Sequence, residues 1–241
     1  MIEALRTEAS IDKIFIQKGE VDKTLGHIAS KARAAGIVVV EADRRKLDGM
    51  SRTHAHQGVI ALAAVREYVS VEDILADAAA KNEKPLIVVC DEISDPHNLG
   101  AIIRTAYCAG AHGVIIPKRR GVGLTSAVFK SSAGAAAHIP VARVANLAST
   151  VDELKEKGVW VYGCDMEGET WCSVNFDGGV ALIIGSEGKG MSRLLKEKCD
   201  VMVSLPMLGE VTSLNASVAG GIIMYEVARQ RLGLKAVNPK G

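Results

Sequence analysis

The stretch Leu86-Ile-Val-Val-Cys-Asp-Glu-Ile-Ser-Asp-Pro-His-Asn-Leu-Gly-Ala-Ile-Ile-Arg-Thr-Ala106 holds a strand, a break and a helix in 21 residues. Leu86 to Cys90 is an unbroken apolar run, the pattern of a strand buried on both faces. Asp95-Pro96 interrupts it, because proline lacks an N–H and restrains the residue before it. The spacing then predicts a helix from Asn98 to Ala109, with Asn98 able to cap it. The rhythm continues through Gly113-Val-Ile-Ile116, a helix near Ser126 to Ser132, Trp160-Val-Tyr162 and Val180-Ala-Leu-Ile-Ile184. A helix from Met191, the strand Val201-Met-Val-Ser204 and a long helix from Leu214 to Arg231 complete it. Continuous apolar strands alternating with helices predict an α/β unit on a parallel sheet covered on both faces.

Working outward, residues 1–66 predict a separate small α/β unit. It comprises a short helix over Ile2–Thr7, the alternating strand Lys13-Ile-Phe-Ile-Gln17 and a helix from Val21 to Ala35 stopped by Gly36. Two further strands, Ile37-Val-Val-Val40 and Gly58 to Ala64, follow. Arg66-Glu-Tyr-Val-Ser70 breaks the apolar pattern, so residues 67–70 read as a linker and the second unit spans 71–241.

Composition narrows the class. Of the 241 residues 48% are hydrophobic and only 4% aromatic, which suits Val/Ile strands under Ala-faced helices. A net charge of +1 neither requires nor excludes nucleic acid, but residues 1–66 carry 11 lysines and arginines against 8 acids, a local net of +3. The five cysteines have no C-x-x-C spacing, so zinc-ribbon and thioredoxin-like sites are unsupported and no metal is expected; two lie inside apolar runs as small hydrophobes. The N-terminus has no basic region followed by an apolar stretch, and no window reaches the ~18 apolar residues of a membrane span. A soluble cytoplasmic protein is expected.

Three segments carry chemistry, each at the C-terminal end of a predicted strand, where open α/β sheets bind ligands. In the first, Asn98 opens a helix and Arg104 follows six residues on, in Ile/Ala-rich company where an arginine must snorkel or hold an anion. The second, Ile184-Gly-Ser-Glu-Gly-Lys-Gly190, sets Glu187 among glycines that permit close backbone approach. It is neither G-x-G-x-x-G nor a P-loop, which argues against a nucleotide hydrolase. The third, Leu205-Pro-Met-Leu-Gly-Glu-Val-Thr-Ser-Leu-Asn-Ala-Ser217, ends a strand at Pro206 and opens the long helix with Ser213 and Asn215. Each segment read alone also fits ordinary capping and turn chemistry. His97 reads as a surface-loop histidine, and His112 and His138 carry no site signal.

Together, Asn98-x-G-x-x-x-R-x-A, the run L-I-I-G-S-E-G-x-G and the run L-P-M…S-L-N-x-S resemble motifs one, two and three of the SpoU/TrmH (SPOUT) RNA methyltransferases, in order and at normal spacing. Pro117-Lys-Arg-Arg120 through Lys130-Ser-Ser-Ala-Gly134 resembles the family segment between motifs one and two. The first unit, ending in His56-Gln-Gly-Val-Ile-Ala61, is similar to the ribosomal-protein-like RNA-binding domain of RlmB-type enzymes, which methylate a guanosine ribose in 23S rRNA; the few residues that usually precede its first helix are absent before Met1.

The resemblance implies a catalytic domain with a C-terminal trefoil knot, S-adenosylmethionine as cofactor, a homodimer with the long C-terminal helix as interface, and methyl transfer to a ribose 2′-OH of 23S rRNA. Carried over, Gly185, Gly190, Leu205, Ser213 and Leu214 would line the cofactor pocket. Arg104 would be catalytic, with Asn98, Glu187, Ser213 and Asn215 ordering the site and the target nucleotide. Positive charge for RNA would come from Lys118, Arg119, Arg120 and Lys130, and in the first unit from Arg44 and Arg45, with Lys46 and Arg52 beside them. A tRNA ribose methyltransferase and a non-catalytic ribosome-assembly RNA-binding factor are the alternatives; single-domain tRNA enzymes of this family lack the small first unit.

Overall fold

In a computed structural model of the chain, residues 11–19, 23–51 and 56–235 are described. The helix expected over residues 2–7 and the candidate Arg52 lie outside them. The chain divides into two compact units between Glu67 and Tyr68, with Gly123–Ser126 grouping with the first.

The first unit is a three-stranded sheet. Strand β1 (Ile11–Gln17) is central, parallel to β2 (Val38–Ala42) and antiparallel to β3 (Val59–Ala63). A central strand buries both faces, and the period of two sorts its side chains. Ile14 and Ile16 pack on Ala29 and Ala32 of α1 (Lys23–Ala34), while Phe15 packs on Leu47 of α2 (Arg44–Met50). Asp43 caps α2 by accepting from the Lys46 N–H at 2.8 Å.

The second unit has six strands: β4 (Leu86–Cys90), β5 (Gly113–Pro117), β6 (Val141–Val144), β7 (Val159–Thr170), β8 (Gly179–Ile184) and β9 (Val201–Ser204). All pair in parallel, in the order β6-β5-β4-β8-β7-β9. On one face Ile87, Val89, Ala181 and Ile183 meet α3 (Val71–Ala80), α6 (Leu147–Glu156) and α7 (Arg193–Lys198). The opposite face carries α4 (Pro96–Cys108) and α8 (Ala216–Arg231), which pack on each other; the short α5 (Ser126–Ser131) lies against α4. The chain runs outward from β4 to β6, then returns to the other side of β4, so β4 and β8 flank the switch point where such sheets open a crevice.

Several local expectations are corrected. Asp95, not Asn98, caps α4, accepting from the His97 and Asn98 N–H groups; Pro96 takes the first helical position, where its missing N–H costs nothing. His97 therefore sits exposed in the first helical turn rather than in a loop. The helix expected from Met191 begins at Arg193, and Met191 is core. The long helix begins at Ala216; Ser213 and Leu214 precede it. The end of the expected linker is tied down: Val69 pairs with the β6 edge through a 3.0 Å bond to Val141 O, and Ser70 forms a capping box with Asp73 that starts α3. The elements β6, α2, α3 and α6 add to those expected, and β7 runs to Thr170, well past Tyr162.

Candidate active site

The site gathers at the C-terminal ends of β4, β7, β8 and β9. The loop after β8 doubles back on itself, with Ser186 and Gly190 exchanging both backbone hydrogen bonds at 3.0 and 2.8 Å. Gly188 (φ +79°) and Gly190 (φ +67°) occupy the left-handed region that glycine enters without a Cβ penalty. At Gly185 the demand is for space: an added Cβ would lie 2.3 Å from Gly190 C and Met191 N, both backbone. These three glycines are therefore requirements of the turn. Asp91, buried just past β4, fastens the far end of the loop by accepting from the Ser192 N–H at 2.6 Å, while its own N–H donates to Ile184 O. Sequence patterns carry no sign of this pairing across 101 residues.

A cavity of about 550 Å³ opens between this loop, the segment 205–216 and the middle of β7. Gly185, Gly190, Leu205, Ser213 and Leu214 all line it, and so do Glu187 and Asn215. Its size falls within the roughly 300–1,000 Å³ of small-molecule sites. The wall at the middle of β7 brings in Cys164 and Asp165, with Lys196 of α7 beside them; no sequence motif marked these. Burial pushes the Cys164 thiol up to about 12, so it stays neutral and serves as wall rather than nucleophile. Burial also pushes the Asp165 carboxyl up, but hydrogen bonds from Lys196 and from the Glu167 N–H outweigh it and hold Asp165 below the usual carboxylate range.

Asn215 joins the three motif segments. Its Oδ1 caps α8, accepting from the Ser217 and Val218 N–H groups at 2.9 and 3.3 Å and from the Ser217 hydroxyl at 2.6 Å. That fixes which way the amide faces. Its Nδ2 then donates to Asn98 Oδ1 at 2.9 Å and to Glu187 Oε1, using both of its hydrogens. Asn98 is buried at 9% exposure, and the adjoining Gly100 lets α5 approach: a Cβ there would stand 1.9 Å from Ser131 Oγ.

Arg104 is not brought into this group. It is exposed on α4, does not line the cavity and has no hydrogen-bond or ion-pair partner among the described residues. Of the basic candidates, Lys118, Arg119 and Arg120 are exposed just past β5, and Arg120 pairs with Glu92 at 3.0 Å. Lys130 is exposed in the last turn of α5, and Arg44 and Arg45 in the first turn of α2. Two arginines there oppose the helix dipole, so local helix energetics do not account for them. Among the described residues no group of three or more His, Cys, Asp or Glu could hold a metal ion, and no helix is long and apolar enough to cross a membrane.

Residues 85–225, which hold every element of this cavity, match the SpoU rRNA Methylase family. The chain belongs to that family. It is a methyltransferase on the family's α/β parallel-sheet fold. Residues 1–69 separately match the RNA 2′-O ribose methyltransferase substrate binding family. Over its whole length the SpoU-family chain is 50% identical to YacO of Bacillus subtilis (strain 168), named for the TrmH family of tRNA/rRNA methyltransferases, and covers 94% of it. Two solved structures are similar. The SpoU methyltransferase AviRb from Streptomyces viridochromogenes in complex with the cofactor AdoMet has a TM-score of 0.63 at 25% identity, covering 95% of this chain and 87% of AviRb. The AdoMet-bound rRNA methyltransferase from Sinorhizobium meliloti has a TM-score of 0.61 at 26% identity, covering 96% and 84%.

Proposed function

We propose that this SpoU-family enzyme uses S-adenosylmethionine (AdoMet) to methylate the ribose 2′-hydroxyl of a guanosine in 23S rRNA, working as a homodimer. The observation that carries the proposal is the hydrogen-bonded chain Asn98–Asn215–Glu187, of which Asn215 and Glu187 line a cavity walled largely by loop residues. The cavity fits the cofactor in chemistry as well as size. An adenosine needs apolar cover for its faces and backbone groups for its edges; Leu205, Leu214 and Ile223 offer the first, and the loop 185–190 the second. Gly185, Gly190, Leu205, Ser213 and Leu214 would hold it. When bound, AdoMet supplies an activated methyl group on a sulfonium centre. The segment from Leu205 onward is, on this reading, the part of the chain that completes a trefoil knot.

The acceptor hydroxyl is a poor nucleophile, so the protein must align it and stabilise the charge it develops. Asn98, Glu187, Ser213 and Asn215 order the target nucleotide. A guanidinium is a poor base but a good clamp for the phosphate beside the target ribose and a stabiliser of the developing oxyanion, the part this reading gives Arg104. Its exposed, unpaired position leaves it free for RNA, and its absence from the cavity wall suits a site completed by a neighbouring protomer. Val218, Ile222 and Tyr225 form an exposed apolar stripe on α8 that a second protomer would cover. Lys118, Arg119, Arg120 and Lys130, with Arg44 and Arg45 in the first unit, supply phosphate contacts. The presence of the first unit, which single-domain tRNA enzymes of the family lack, supports rRNA over tRNA on this reading; its family match names RNA without choosing between them.

The test is transfer from methyl-labelled AdoMet to a 23S rRNA transcript and to bulk tRNA, with wild type beside Arg104→Ala. The expected result is label at a single guanosine ribose of rRNA, a loss of about a hundredfold or more in the variant, and RNA affinity that falls with salt. Label in tRNA alone replaces the substrate. No transfer to either leaves the assembly-factor alternative.

A further inference from the structure

One wall of the cavity carries two full charges that the proposed chemistry has not used. Asp165, in the middle of β7 where its register with β9 shifts between Cys164 and Glu169, and Lys196, on α7, form an ion pair with side chains 18% and 41% exposed. A half-buried pair of this kind gains little stability, because desolvation offsets the attraction. Their placement on a ligand cavity therefore calls for a ligand. Of the other charged groups on the wall, Glu187 is engaged by Asn215, and Lys189, on the loop 185–190, has no ion-pair partner among the described residues. Past Asp165 the β7 backbone packs closely on β9: a Cβ on Gly168 would lie 2.5 Å from the backbone oxygen of Met202.

We propose that Asp165 and Lys196 form the subsite for the amino-acid end of AdoMet, Asp165 accepting from its α-ammonium and Lys196 donating to its α-carboxylate; this rests on AdoMet being the cofactor. The hydrogen-bond inventory favours that group over the ribose diol. A diol is held best by both oxygens of a carboxylate, but Asp165 Oδ1 already accepts from the Glu167 N–H at 3.4 Å. Oδ2 likewise accepts from Lys196, so a diol would have to share both oxygens with donors already in place. Lys196 has three donors and no other ion-pair partner among the described residues, so it can meet a carboxylate without releasing Asp165. A zwitterion placed across a pair of opposite order satisfies both charges; a diol would leave the ammonium without a role.

The test is calorimetric binding of two stable compounds to the full chain: S-adenosylhomocysteine, which has the amino-acid end, and 5′-methylthioadenosine, which lacks it. Lys196→Met and Asp165→Asn are each expected to weaken S-adenosylhomocysteine about tenfold and leave methylthioadenosine nearly unchanged. Lys196→Arg, which keeps the charge, is expected to retain most of the affinity; Lys196→Gln substitutes for the methionine variant if that variant does not fold. Equal weakening of both compounds overturns the proposal in favour of the ribose or the fold, and so does unchanged binding of S-adenosylhomocysteine. A wild-type chain that binds neither compound overturns the AdoMet assignment itself, a result distinct from the other two.

Discussion

Asn215 has two separable duties, and they sit on different atoms. Its oxygen caps α8, and its nitrogen bridges Asn98 and Glu187. Asn215→Asp keeps the cap, because a carboxylate accepts from the same N–H groups and favours a helix N-terminus. It removes both donors and sets a second carboxylate against Glu187. Methyl transfer is expected to drop by about a hundredfold while the thermal midpoint changes little; a drop in both together would mean that the capping duty dominates. This residue also shows what was legible. A polar side chain opening a helix after a strand marks Asn215 from the sequence alone, but its partners stand 117 and 28 residues away. Asn98 was misread for the same reason: an asparagine near a helix start suggests a cap, whereas Asp95-Pro96 captures that duty and frees Asn98 for the site.

Elements were legible where side-chain period and burial agree. β4, β5, β8 and β9 are continuous apolar runs because a parallel sheet covered on both faces leaves no polar side. The helices α2, α3 and α6 escaped because they are short, 7, 10 and 10 residues, and interleave charged side chains, although Leu147, Val151 and Leu154 of α6 do form a buried stripe at helical spacing. The start of β4 has its own pH sensitivity. The Leu86 N–H donates to His112 Nδ1 at 3.0 Å, so the ring must carry its proton on Nε2, which faces Glu83 at 3.0 Å. Burial lowers the His112 pKa against the raising effect of Glu83. The folded state thus resists a proton that the unfolded chain accepts, and the contribution is fully present above the unfolded value near 6.5 and fades as pH falls below it. Urea midpoints measured at pH 7.5 and 5.5 should fall toward acid in the wild type, and the fall should be smaller in His112→Asn; equal falls would place the sensitivity elsewhere.

At the scale of the molecule, the charge balance and the exposed stripe on α8 bear on assembly. Tyr225, 54% exposed, lies on one helical face with Val218 and Ile222. If the proposed homodimer forms through this stripe, Tyr225→Glu is expected to shift it to a monomer by light scattering and to suppress methyl transfer, because a buried unpaired charge at an interface costs several kcal/mol. A wild-type monomer with full activity would remove the dimer from the mechanism. The fold class and the three motif segments that wall the cavity or bond to its wall could be read from the sequence, because periodicity and turn chemistry are local properties of a chain. The Asp91–Ser192 latch, the Asp165–Lys196 pair and the bridging of Asn98 and Glu187 by Asn215 could not. Each joins segments far apart along the chain, and only the strand order β6-β5-β4-β8-β7-β9, which sets β4 beside β8 and β7 beside β9, brings their ends within hydrogen-bond reach.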